Sequence, residues 1–128
     1  METKTYGGPT QILGTLANKV AFSCIVDDQG VDTGSDGKKI IPAGTPVGGD
    51  NDFLADDQKP LTTSNDAKAQ GVLEHDVDVT SGQGNGTLIV NGYINEYRLP
   101  AGVTITPEAK AALADGKAGK VIFFKRNK

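Results

Sequence analysis

The chain has 128 residues and a formal charge of −3, with 37% hydrophobic and 5% aromatic residues, no tryptophan, 17 glycines and six prolines. That is one domain's worth of chain, and the glycine and proline content predicts short strands and many turns in place of a helical bundle. The single cysteine excludes an intrachain disulfide and a multi-thiolate metal site, and apolar runs such as "TLIV" and "VIFF" are far too short to cross a bilayer.

Residues 1–18 carry Gly7, Gly8, Pro9 and Gly14 among scattered apolar side chains, with no sustained period of two or 3.6. They predict an extended N-terminal arm with little reason to fold alone. The opening "METKTYGGPT" is polar from its first residue, unlike a secretory signal, so the expectation is a chain made for an intracellular compartment or released by lysis. The first strand is predicted at residues 19–26, "KVAFSCIV". Cys24 within it reads as a small buried hydrophobe, because a reactive thiolate needs an electropositive, accessible niche.

"DTGSDGKK" resembles a calcium loop in composition alone. With Asp32 first, such a loop needs an acid or amide where Gly34 stands and a bidentate glutamate where Ala43 stands. A hairpin tip rich in aspartate and glycine is the expected form. In "KKIIPAGTPVGG", Pro42 pre-sets φ and Gly44 supplies the positive φ of a tight turn, which predicts a strand, a turn and a short strand ending at Val47. Residues 48–69 form a long polar connection whose apolar anchors are Phe53, Leu54 and Leu61.

"GVLEHDVDVT" places a glutamate, a histidine and two aspartates within five residues. Strict alternation predicts one half-buried strand, with Leu73, His75, Val77 and Val79 on one face and Glu74, Asp76 and Asp78 on the other. Adjacent side chains on one strand face splay apart, so the three carboxylates predict a solvated face, not a metal site. "SGQGNG" predicts a hairpin loop around Asn85 and Gly86, with "TLIV" as the returning strand. Tyr93, Tyr97 and Arg98 follow in "NGYINEYRLP", residue types favoured at interface centres and equally suited to covering a core edge. The one clear helix is "TPEAKAALADG", with Thr106 as N-cap, Pro107 at the first position, Ala109, Ala112 and Leu113 on its apolar stripe and Gly116 at its stop. "KVIFF" is the last predicted strand.

Charge is unevenly spread. Residues 27–78 hold twelve acids and four bases, and residues 117–128 hold five bases and no acid. The basic tail is short and has no aromatic platform, which argues against nucleic acid as partner. No phosphate loop, dinucleotide fingerprint, zinc-helix motif or nucleophile–base pair is present, and the sequence predicts neither enzyme activity nor a cofactor.

Taken in order, the arm, "KKIIPAGTPVGG", the polar connection, "AKAQGVLEHDVDVT", "GNGTLIVNGYINEYRLP", "TITPEAKAAL" and "KVIFFK" resemble the head decoration or head fibre proteins of tailed phages and prophages of Gram-positive bacteria. In layout they are similar, more distantly, to the lambda-type head decoration protein. The resemblance implies a mainly β body of the β-clip or β-tulip type spanning residues 19–128, with one short helix in its C-terminal half. It implies a structural virion protein on the capsid exterior, present in the host cytoplasm before assembly. Its partners would be the major capsid protein and itself, as a homotrimer bridging capsid subunits, with no membrane and no nucleic acid involved. The arm would attach by strand addition, which makes Tyr6, Pro9, Ile12, Leu13 and Leu16 the candidate capsid anchors. The chain departs from the lambda-type pattern in lacking tryptophan, in its acidic "DDQGVDTGSDG" and in the longer residues 48–69. The alternative class is a carbohydrate- or peptide-binding β domain of a tail, fibre or cell-surface assembly.

Overall fold

The computed structural model describes residues 13–126 except 57, 117 and 118. The body is mainly β with a single α-helix. Strand β1 spans Leu13–Asp27, six residues earlier than the 19–26 expectation. Its register runs from Leu13 opposite Ile94 to Asp27 opposite Gln83, so part of the expected arm belongs to the sheet by its backbone. Residues 1–12 lie outside the described residues.

Seven further strands follow: β2 (Ile40–Ile41), β3 (Pro46–Gly48), β4 (Thr62–Thr63), β5 (Ala69–Leu73), β6 (Val77–Asp78), β7 (Gln83–Asn95) and β8 (Val121–Phe124). The main sheet has the order β1-β7-β5-β3-β4, with β8 parallel to the C-terminal half of β7. Strands β2 and β6 form a separate antiparallel pair.

Strand β7 organises the sheet because both its faces are buried at Leu88, Ile89 and Val90. Opposite β5, Val72 pairs with Ile89 and Leu73 with Leu88. Cross-strand partners share a face, so these neighbouring pairs point to opposite sides. Leu73 and Leu88 join one core with Cys24, Val26, Ile41, Val47, Phe53, Leu61, Val77, Val79 and Val90. Val72 and Ile89 join the other with Ala69, Ile94, Ile105, Ala109, Leu113 and Val121. The run "TLIV" is therefore continuous in apolar character for a physical reason: covered on both sides, it has no face left for polar residues.

The covers differ. The second core lies under helix α1, Pro107–Ala114, which follows the sequence expectation closely. Thr106 Oγ1 accepts from the Ala109 amide at 3.1 Å and donates to Asn65 O at 2.8 Å. Ala109 and Leu113 are the buried positions of the helix. The first core lies under β2, β6 and the long connection, where Leu61 is fully buried and bridges β1: its amide donates to Ile25 O at 2.8 Å and its carbonyl accepts from Asp27 N at 2.9 Å. A Leu61→Ala chain should lose about 2–5 kcal/mol of stability, measured as a lower urea midpoint with unchanged slope.

Three expected turns form differently. The "DTGSDG" segment makes a tight turn, with the Gly34 amide on Lys38 O at 2.7 Å, the Gly37 amide on Gly34 O at 3.0 Å and Gly37 at φ +82°, but the strands on either side of it, β1 and β2, do not pair with each other. It is a loop tip and not a hairpin tip, because β2 pairs with β6 and leaves β1 to β7. The Pro42 turn is present, closed by Thr45 N on Pro42 O at 3.3 Å with Gly44 at φ +90°, yet β2 and β3 diverge into different sheets. The Asn85–Gly86 dipeptide is not a loop at all. It sits inside β7, where Gly86 pairs with Cys24 and Asn85 with Ile25, and the turn falls earlier, with Gly82 N on Val79 O at 2.9 Å.

Candidate binding face

The acidic stretch resolves into three unrelated jobs. The predicted continuous strand breaks between β5 and β6, and bends through residues 74–76. Glu74, with its amide on Thr87 O, receives Lys19 Nζ at 3.2 Å and keeps only 10% side-chain exposure. Asp76 Oδ1 accepts from the Ala43 amide at 2.8 Å and ties down the Pro42 turn. Asp78 Oδ1 accepts from the Thr80 amide at 2.9 Å and from its hydroxyl, and these bonds hold the Asp78 carboxyl below the usual carboxylate range. The carboxylates do not converge, and among the described residues no group of three or more acids, histidines or cysteines is placed to hold a metal. His75 corrects the sequence reading: the bend takes it off the apolar face, and it is exposed.

Cys24 is buried, and that burial pushes its thiol up to about 11, partly offset by a backbone hydrogen bond from Gly86. Roughly one thiol in a thousand is then ionised at pH 8. Labelling of the native chain by an aromatic disulfide should be limited by unfolding and become complete at once in denaturant. Rapid native labelling would contradict this environment.

The unusual surface lies on the sheet. Phe22 pairs with Leu88, which places it on the face of the first core; Val20, two residues back, shares that face. Phe53 covers the near end of this face, its ring centroid 5.7 Å from that of Phe22. Beyond Phe53 the cover stops. Phe22 and Val20 are each 41% exposed, and Tyr93 and Ile122, adjacent across the β7–β8 ladder, are 44% and 36% exposed. Val20, Tyr93 and Ile122 line a shallow groove of about 560 Å³ together with Lys19, Asn91, Gly92 and Lys120. The same side of the sheet that is core at one end is thus bare apolar surface at the other, and contiguous exposed apolar surface marks interaction sites.

The interface residues named from sequence divide. Tyr93 belongs to the groove. Tyr97 and Arg98 are exposed on the short 3-10 turn Glu96–Arg98 that ends β7, and neither lines the groove. Of the arm anchors, Tyr6, Pro9 and Ile12 lie outside the described residues, whereas Leu13 and Leu16 fall within β1. Val20, Phe22 and Ile122 were not singled out by sequence. The alternation of Val20 and Phe22 on one face of β1 was legible, but the point where Phe53 stops covering that face was not.

A larger groove of about 690 Å³ runs between α1 and residues 49–53, lined by Asp50, Asp52, Phe53, Gln70, Glu108 and Asp115 among others. Its amides are already engaged: Gln70 Nε2 donates to Gly49 O and to Asn51 O, and Asn51 Nδ2 donates to Pro60 O. Lys68 is held by Asp50 at 2.8 Å. These polar groups organise the loop. No protein-family model matches the sequence, and no curated protein matches it significantly.

Proposed function

We propose that this chain is a structural virion protein that binds the outside of a phage capsid and stabilises the expanded head by bridging major capsid protein subunits, as a trimer. The observation that carries the reading is the bare apolar strip of β1, β7 and β8, a surface built for contact with another protein. The order of motifs supports it, as does a mainly β body with a single late helix, the layout expected of a β-clip or β-tulip decoration protein. The N-terminal segment leads directly into β1, so a capsid contact made by residues 1–12 would enter the sheet through its longest strand. In this reading the protein acts at the capsid exterior after a cytoplasmic stage, requires no cofactor, and acts through binding alone.

Its value to the shell is multivalent: each trimer touches several capsid subunits, and weak contacts gain effective concentration once the first has formed. Heating undecorated expanded shells with saturating protein should raise their disruption temperature by several degrees, since a ligand that binds the assembled state stabilises it. An unchanged disruption temperature at saturation would remove the stabilising role. The competing reading, carbohydrate or peptide binding, is favoured by the broad groove beside α1; selective retention on a glycan array or on cell walls would identify it.

A further inference from the structure

The bare strip has two unlike ends. At one, Val20, Tyr93 and Ile122 line a groove of mixed polarity together with Asn91, Lys19 and Lys120. At the other, the turn that lays Phe53 on Phe22 presents Leu54, a large apolar side chain that is 47% exposed. Leu54 stands between Asp52 and Asp56. Its amide donates to Asp52 Oδ1 at 3.0 Å, and the amides of Ala55 and Asp56 donate to Asp52 O at 3.0 and 3.2 Å, so the turn is held by its own backbone. An apolar knob beside the Asp56 carboxylate complements a groove that sets Val20, Tyr93 and Ile122 beside Lys120. Within a single chain Leu54 does not line the groove.

The geometry points to a self-association contact in which the 52–56 turn of one copy seats in the β1–β7–β8 groove of a second copy. Both halves of the complement are on this chain, which is why a second copy is the occupant that fits. Lys19 is shared with Glu74 at 3.2 Å, so Lys120 carries more of the new ion pairing. Charge orients the approach, and the seating of Leu54 on Tyr93 and Ile122 holds it. Knob and groove are different patches, so the contact is directional: repeated around a ring it closes a cyclic assembly, and made reciprocally it gives a two-fold dimer. The inference rests on the self-assembly part of the proposed function, and its test needs no capsid.

Sedimentation velocity from about 5 to 500 μM covers the weak range expected of a small interface. The wild-type chain should associate, less strongly as salt rises from about 50 to 500 mM. Leu54→Ala and Ile122→Ser should each weaken association at least tenfold with unchanged circular dichroism and melting temperature. Asp56→Lys should weaken it too, and adding Lys120→Glu to the same chain should restore it. Wild-type protein that stays monomeric throughout, or association that none of these changes moves, would overturn the contact. Shell binding measured on Leu54→Ala, which leaves the β1–β7–β8 strip intact, separates the two readings. A monomeric Leu54→Ala chain that still binds shells supports the knob-and-groove contact and leaves decoration standing. Wild-type protein that associates through this contact yet binds no shell supports the contact and removes decoration.

Discussion

A chain lacking residues 1–12 is expected to fold normally and to lose its hold on expanded shells by about 100-fold or more, if the protein decorates capsids as proposed. The first half of that expectation follows from the sheet. Strand β1 pairs with β7 from Leu13 onward, and among the described residues the buried members of both cores lie between Cys24 and Val121. Removing residues 1–12 deletes no described core side chain and no described strand. The second half follows from strand addition: main-chain hydrogen bonds supply attachment with little side-chain code, and one lost anchor per subunit is multiplied across an assembly, where avidity contributes factors of about 10²–10⁴. Melting temperature and shell binding, measured on the same preparation, check both halves. A truncated chain that binds shells undiminished would remove the arm from the mechanism and leave the bare strip as the principal contact.

Replacing Gly84 by alanine should destabilise the fold by about 1–3 kcal/mol, a cost typical of overpacking. A Cβ at Gly84 would stand 2.5 Å from Asp78 O and 2.8 Å from Val77 Cγ1. The first is backbone of β6, so the clash is relieved only by separating β6 from β7. Gly86 is tight for the same reason, its Cβ position lying 3.0 Å from both Leu73 Cδ2 and Val77 Cγ2. Gly37 provides the contrast. It has φ +82° with nothing within 4 Å of a Cβ, so Gly37→Asn, a residue that tolerates the left-handed region, should change stability by less than about 0.5 kcal/mol. Urea denaturation of the two variants tests the difference. Equal, small effects would show that β6 does not pack against β7 as described.

These glycines also explain which parts of the fold the sequence discloses. Where local chemistry decides, the reading succeeds: Thr106 and Pro107 open the helix as cap and first residue, and the positive φ of Gly44 marks its turn. Where distant packing decides, it does not. "SGQGNG" has the composition of a hairpin loop, and Asn–Gly favours one locally. Yet Gly84 and Gly86 are there to let β6 and Leu73 lie close over a strand, a demand invisible without the neighbours. His75 fails similarly. Alternation is a rule for an unbroken strand, and the bend at residues 74–76, with Asp76 tied to the Ala43 amide, breaks it. The candidate face was half legible, since Tyr93 stood out by residue type. Val20, Phe22 and Ile122 look like ordinary core residues in the sequence, and their exposure depends on the extent of a loop from elsewhere in the chain.

The most direct test of the capsid reading is co-sedimentation of the purified full-length chain with undecorated phage shells, before and after expansion. The account predicts saturable binding to expanded shells, with little or none to the unexpanded form. Absence of binding to either form, with the chain folded and the shells intact, would contradict it.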